Sequence, residues 1–179
     1  MTNRIVLTSV LSAFAFAGLA SAQTGSGTLG VTGTVSGSIN LTFVTDASGL
    51  AVTGTTTSTA SLPFGTVKMY GGSVPTNVTK TVNGTTSFSL STPFDVRVDL
   101  ANSASASYTL SALLASADAT NVWLIGATDI SASGTASVLA DTAAYATALP
   151  YTLHLTVPAS ETGAGLSISN SIGFTAVGN

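Results

Sequence analysis

The stretch TLGVTGTVSGSINLTF, residues 28–43, alternates between two kinds of side chain over its whole length. Its odd positions carry leucine, valine, isoleucine, phenylalanine and glycine, whereas threonine, serine, asparagine and one glycine fill the even ones. This alternation predicts a β-strand with one apolar face. Strands usually run about 5–6 residues, so a stretch of this length predicts two strands. We place the division at Ser36 and Gly37, which makes residues 38–44 the second strand.

Residues 1–22 have the features of a secretion signal. Arg4 supplies a positive charge, residues 5–19 are apolar, and Ala-Ser-Ala at 20–22 is typical of a cleavage site. The apolar run is too short to span a membrane as a helix, and no later stretch resembles a membrane helix. We therefore expect cleavage after Ala22, export of residues 23–179, and no insertion into a membrane.

The composition excludes several classes of protein. Only 6% of the residues are charged and the formal net charge is −3, whereas binding to nucleic acid or anionic lipid needs clustered lysine and arginine. The chain has no cysteine, so it can form neither a disulfide nor a thiolate metal site. So few charges leave sheet edges poorly protected against association. This favours a subunit that copies of itself cover.

The rest of the chain also predicts β-structure, and no stretch has the 3.6-residue apolar period of a helix. Short strands separated by turn residues are typical of a β-sandwich or barrel. Asn83-Gly84 predicts a hairpin with a type I′ turn, which needs two positive φ angles. About nine or ten strands are expected in all, and the candidate segments for them beyond residues 28–43 are 50–60, 61–70, 77–82, 85–91, 94–100, 107–116, 121–127, 134–140, 151–157 and 165–177.

Residues that could carry chemistry are few and scattered. His154 is the only histidine, and the alternation around it predicts that it points away from the apolar face of its strand. Asp95, Arg97 and Asp99 share one face of a strand, which favours a solvated row of charges. No spacing typical of a calcium loop surrounds the remaining aspartates, although a loop calcium ion stays open. We expect no enzyme, no cofactor and no metal centre.

A signal peptide, an alternating Val/Thr-rich strand and a cysteine-free β-domain together resemble the fimbrial (pilin) subunits of the chaperone–usher kind. The resemblance is to the cysteine-free major subunits and to the spore-coat-U-like secreted domains, whose Phe-Gly strand is similar to LPFGTV at 62–67. It implies an all-β, immunoglobulin-like antiparallel β-sandwich with an N-terminal donor strand. The implied organisation is a signal peptide over 1–22, a donor extension over 23–36 and the sandwich over 37–179.

In that family the sandwich lacks its last strand, and the N-terminal extension of the next subunit fills the resulting groove. The resemblance implies a homopolymer at the bacterial cell surface, with a periplasmic chaperone and an outer-membrane usher as partners. The usual pilin disulfide and C-terminal aromatic residue are absent from this chain. Carried onto its residues, the donor positions are Leu29, Val31, Gly33 and Val35, and the groove-lining positions are Leu166, Ile168, Ile172 and Phe174.

A second interpretation remains open, in which the chain is an autonomous secreted β-sandwich that binds a glycan or another surface ligand. Exposed aromatic side chains in loops would favour it, because sugars stack on aromatic rings. Tyr70, Trp123 and Tyr145 are the candidates.

Overall fold

A computed structural model describes Thr32 and residues 37–53, 59–101, 104–132, 134–162 and 167–179 of the chain. Over these residues the protein is all-β with antiparallel sheets, as predicted, apart from one turn of 3-10 helix at Ala159–Glu161. The strands described are β1 (Ser38–Val44), β2 (Thr79–Asn83), β3 (Ser87–Ala101), β4 (Tyr108–Leu114), β5 (Val122–Ile125), β6 (Thr128–Asp129), β7 (Ser137–Ala143), β8 (Ala148–Pro158) and β9 (Ile172–Gly178).

Two sheets form a sandwich. The larger sheet has the order β1-β3-β8-β5-β6, with β2 also paired to β3, and the smaller sheet has the order β7-β4-β9. Residues Val35–Asn179 make up one compact unit, and Met1–Thr34 are grouped separately. In the part of the chain that the structure describes, no helix is long and apolar enough to cross a membrane.

Strand β3 is the centre of the larger sheet and merges two segments that the sequence predicts as separate strands. Its first half pairs with β2 and its second half with β1, so these two short strands lie end to end along it. Pro93 falls between the two pairings, where β8 is the strand that pairs with β3. A proline is tolerated there because its missing N–H interrupts no ladder.

The junction between β1 and β2 is closed by polar contacts around Thr92, whose side chain is fully buried. The Thr92 hydroxyl accepts a hydrogen bond from the Leu50 amide at 2.7 Å and donates one to the Asn77 carbonyl at 3.0 Å. Asn77 in turn donates from its side chain to the Gly49 carbonyl. A Cβ at Gly49 would lie 2.0 Å from the Pro93 carbonyl oxygen, so this close approach requires glycine.

At one end of the sandwich, here called the two-sheet end, the smaller sheet covers β3 directly. Val96, Val98, Tyr108, Leu110 and Leu114 all have 0% of their surface exposed. These side chains alternate along β3 and β4 with partly exposed neighbours, as a strand with one buried face requires. The two-sheet end therefore has the burial of a conventional β-sandwich core.

At the opposite end, here called the strap end, residues 61–70 cover the larger sheet. Their apolar side chains pack against the core: Met69 is buried, and Leu62, Phe64 and Val67 are partly buried. This segment, called the strap below, forms no strand. The prediction of a strand over 61–70 is therefore wrong.

Three further expectations need correction. Residues 50–53 and 59–60 form no strand but only an isolated bridge between Thr53 and Ser61, and 54–58 lie outside the described residues. Of the segment 165–177, residues 167–171 form no strand and the part from Ile172 onward belongs to β9, while 165 and 166 lie outside the described residues. The hairpin at Asn83-Gly84 is present, but Asn83 stays in β2 paired with Ser87. The turn consequently has one positive φ angle, at Gly84, and is not of type I′.

The outer face of the larger sheet is rich in hydroxyl groups. Ser89 and Thr156 face each other across β3 and β8, and their side-chain oxygens lie 2.9 Å apart. His154 lies on this outer face, between the buried Leu153 and Leu155, as the alternation predicts. Arg97 and Asp99 form an ion pair at 2.9 Å near the end of β3.

Candidate functional site

A cavity of about 1360 Å³ lies at the strap end of the sandwich. The larger sheet forms its floor with buried apolar side chains of three strands: Phe88 and Leu90 of β3, Leu153, Leu155 and Val157 of β8, and Trp123 of β5. Those side chains are inward-facing members of their strands, so the regular alternation of the sheet makes the floor apolar. No described residue of β4 lines the cavity.

The walls come from two irregular segments. The strap forms one wall with Leu62, Phe64, Val67 and Met69, and residues 167–174 form another. Residues 167–171 approach β9 without strand pairing, held by hydrogen bonds between Asn170 and the backbone of Ser116 and from the Ala115 amide to the Ser171 carbonyl. Lys68 and Glu161 also line the cavity. The site is thus an apolar cleft bordered by a few polar groups.

The structure brings three of the four predicted groove residues to this cavity. Ile168, Ile172 and Phe174 line it and are partly buried against the core, although Ile168 precedes the strand rather than belonging to it. Leu166 lies outside the described residues. The predicted donor positions, Leu29, Val31, Gly33 and Val35, lie outside them as well.

Next to the cavity, two strand edges lie on the same side of the sandwich. Within the described chain, β9 pairs with β4 alone and β1 pairs with β3 alone. Phe43 of β1 and Phe174 of β9 join the two sheets there, with an edge-to-face contact between ring centroids 5.1 Å apart. A strand with one partner presents unpaired backbone N–H and C=O groups along its other side. The edge of β9 therefore offers hydrogen bonds beside an apolar cleft.

Trp123, on the cavity floor, is held by the carboxylate of Asp118. That carboxylate accepts hydrogen bonds from the Trp123 indole N–H at 2.8 Å, from the Asn121 side chain and amide, and from the Thr120 amide. Burial acts to raise the pKa of Asp118, but the hydrogen bonds together outweigh it and lower the pKa to about 2. The carboxylate is thus a structural acceptor that fixes the loop before β5.

Among the described residues that line the cavity, the charged side chains are Lys68 and Glu161. Among the described residues, no three of the His, Asp and Glu side chains lie close enough together to hold a metal ion. Asp95 is partly buried on the outer face of β3, and burial together with the nearby Asp46 carboxylate raises its pKa. Its neighbours Arg97 and Asp99 pair with each other. This arrangement has no acid–base pair directed at a common substrate position.

The three aromatic candidates for glycan stacking differ in exposure. Trp123 is 5% exposed, whereas Tyr70 is 60% exposed. The Tyr145 hydroxyl is tied to Ser105 and to the Ser107 carbonyl, and its ring stacks near that of Tyr108. Of the three candidates, Tyr70 is the most exposed to solvent, with its hydroxyl donating a hydrogen bond to the Gly84 carbonyl.

Neither the strap nor Trp123 is among the groove-lining positions predicted from the sequence. One signal for the strap is present in the sequence. Its apolar residues fall on even positions at Leu62 and Phe64 but on odd positions at Val67 and Met69. A single strand cannot bury both pairs on one face, and the shift occurs at Gly65, which has a positive φ of 64°.

Comparison of the chain with protein-family models, with curated proteins and with solved structures gave no match. The cavity and the strand edges are therefore the structural features from which a function can be inferred.

Proposed function

We propose that the protein is a structural subunit of an extracellular filament or surface layer, and that neighbouring copies join by adding a strand to one another. The observation that carries this proposal is the apolar cavity beside the edge of β9, a strand that among the described residues pairs with β4 alone. A strand laid along that edge would gain backbone hydrogen bonds, and alternate side chains would enter the cleft. This mode of recognition is β-augmentation.

The proposed donor is the segment 23–36 of another copy of the chain. Leu29, Val31 and Val35 lie on one face of its alternating pattern, and burying each fully would contribute about 1.5–3 kcal/mol. Gly33 on the same face suits a narrow place in the groove. An incoming strand of this composition brings no charge into the cleft, where an unpaired charge would be strongly disfavoured.

The wider biology of the proposal follows from the resemblance. The sandwich is immunoglobulin-like and lacks one strand, residues 1–22 direct export, and the filament lies at the bacterial surface, where it serves in structure or adhesion. Its partners are copies of itself, with a periplasmic chaperone and an outer-membrane usher during assembly. The low charge of the chain, 6% of residues, suits subunits that cover one another's edges.

The central test compares two substitutions that differ only in which face of the donor segment they alter. Val31→Asp should block assembly, because it places a carboxylate in the apolar cleft. Thr32→Asp adds the same charge on the opposite face, at an exposed residue, and should leave assembly intact. Negative-stain images of the cell surface and of the culture supernatant give the result. Filaments of Val31→Asp with wild-type abundance would contradict the proposal.

A truncation tests whether the sandwich needs the added strand. Removal of residues 23–36 should give a chain that is difficult to keep soluble, and the segment should restore it when supplied as a peptide or fused after Asn179. Thermal melting followed by circular dichroism measures both. A truncated chain that remains monomeric and melts cooperatively would show that no strand is missing.

The alternative, an autonomous sandwich that binds a glycan or surface ligand, is favoured by one observation, the exposed ring of Tyr70. It predicts isolated particles in the same images. It also predicts retention of the protein on a polysaccharide column that Tyr70→Ala abolishes and Tyr70→Phe preserves.

A further inference from the structure

The strap covers the cavity without belonging to either sheet. Met69 is 5% exposed, so the strap is seated on the core. In the described part of the chain, however, no hydrogen bond joins the backbone of residues 62–67 to a strand. By contrast, β9, which contributes to the other wall of the cavity, is paired with β4 along its whole length. The middle of the strap is therefore held by side-chain packing alone.

Fixed points lie at the two ends of the strap. At its start, Ser61 and Thr53 exchange two backbone hydrogen bonds of 3.1 and 3.2 Å. At its end, the Lys80 ammonium donates to the carbonyl oxygens of Lys68 at 3.0 Å and of Gly71 at 2.9 Å. Gly71 and Gly72 both have positive φ angles, 60° and 70°, which turn the chain back toward β2. Lys80 thus ties the end of the strap to the larger sheet.

The bonds that Lys80 makes are unusual for this chain. It is one of four lysine and arginine residues in the sequence. Among the described residues, Arg97 forms an ion pair with a carboxylate, whereas Lys80 forms none. Its positive charge is directed at two carbonyl dipoles. Hydrogen bonds with one charged partner are stronger than neutral ones, and loss of the ammonium would leave both carbonyls without that donor.

We infer that the strap is a gate over the apolar cleft and that Lys80 is its latch. When the latch opens, residues 61–70 lift from the core, and the floor of the cavity becomes accessible from the strap side. Lys80 acts as a positioning residue, since it holds the wall of the cleft and does not line it. The identity of the group that enters, a strand of another copy, rests on the proposed function, whereas the latch itself does not.

Trypsin provides a direct test, because the strap contains its own cleavage site at Lys68. The bond after Lys68 leads into the buried Met69, so cleavage requires the strap to lift. In the full-length mature protein, Lys80→Met should accelerate cleavage at Lys68 by about tenfold or more, as loss of a charged hydrogen-bonding group predicts. Lys80→Arg keeps the charge and the donors and should cleave at nearly the wild-type rate.

Thr81→Met is the matched control, since it places the same side chain one residue further along β2, at an exposed position that makes no contact with the strap carbonyls. Acrylamide quenching of Trp123, the only tryptophan in the chain, gives a second measure of cavity access. Quenching should increase in Lys80→Met and stay unchanged in both controls.

Unchanged cleavage and quenching in Lys80→Met would overturn the latch. Loss of the cooperative melt in Lys80→Met would also overturn it, because a latch acts locally. Cleavage in Lys80→Arg as fast as in Lys80→Met would show that the charge does not hold the strap. Failure of the proposed function is seen separately, in the images of Val31→Asp and Thr32→Asp, and leaves the cleavage result unaffected.

Discussion

The two ends of this sandwich bury their apolar side chains by different means. At the two-sheet end, buried side chains of β3 and β4 belong to one core cluster, and hydrogen-bonded ladders set the spacing of the inward side chains on both strands. At the strap end the same long strand β3 continues, but its cover is a segment without a ladder, and a cavity of about 1360 Å³ remains beneath it. The end at which strands face strands is thus closely packed, as protein interiors usually are. The end covered by an irregular segment keeps a cavity.

The strongest test of this difference between the two ends is to shorten a leucine to alanine at each of them. Leu110→Ala at the two-sheet end should destabilise the fold by about 3–4 kcal/mol, because a fully buried site cannot close around the void. Leu62→Ala in the strap should cost about 1 kcal/mol, since the side chain is half-buried and the strap can settle into the cavity. Urea unfolding measures both. Equal losses would show that the strap is packed as rigidly as the sheet.

The pH dependence of stability provides a second comparison, because the Asp118 carboxylate holds Trp123 on the cavity floor. Its pKa is lowered from 3.8 to about 2 in the folded protein, so its stabilising contribution is present above pH 4 and is lost as the pH falls toward 2. Asp118→Asn should therefore cost about 1–2 kcal/mol at pH 7, after allowance for solvent screening. The difference from wild type should disappear near pH 2.

Urea unfolding across this pH range measures the effect, with Asp129→Asn as the control. Asp129 lies in the neighbouring strand β6, its pKa is also lowered, by hydrogen bonds from Ser131, and its side chain is exposed. It should change stability less than Asp118 at every pH. An Asp118→Asn deficit that persists unchanged in acid would mean that the carboxylate charge is not what orients Trp123.

The smallest change in stability is expected for substitutions on the outer face of the larger sheet, which is not part of the core. His154→Ala should change stability by less than about 0.5 kcal/mol, as at most surface sites. Leu153→Ala, its inward-facing neighbour in β8, should cost about 2–4 kcal/mol in the same urea titration. A large loss at His154, or the loss of any measurable activity, would return this residue to consideration as a catalytic group.

The regular parts of the fold could be predicted from the sequence because alternation encodes them directly. The predicted strand at 38–44 coincides with β1, and β4, β5 and β8 lie within or around their predicted segments. Merging of two predicted segments into β3 could not be foreseen, because Pro93 reads as a break in the sequence. The strand can accommodate Pro93 because β1 and β2 pair with β3 on either side of it. That arrangement is a property of the assembled sheet.

The candidate site was predictable only where it borders a strand. Ile172 and Phe174 follow the alternation of β9, whereas the strap depends on a change of phase at Gly65 and on a lysine distant in sequence. Trp123 follows the alternation of β5, but its hydrogen bond to the loop carboxylate of Asp118 is not visible in that alternation. Contacts of single side chains carry no periodic signal, so a pattern along the chain does not reveal them.

The hydroxyl-rich outer face has a consequence for how copies of this chain meet. Only 6% of the residues are charged, so in the proposed assembly dissolved salt would have little charge–charge interaction between copies to screen. Association should therefore vary little between millimolar and molar salt. Without electrostatic steering, encounters proceed at the unassisted rate of about 10⁵–10⁶ M⁻¹s⁻¹. The speed of the proposed assembly would then depend on the local concentration of copies.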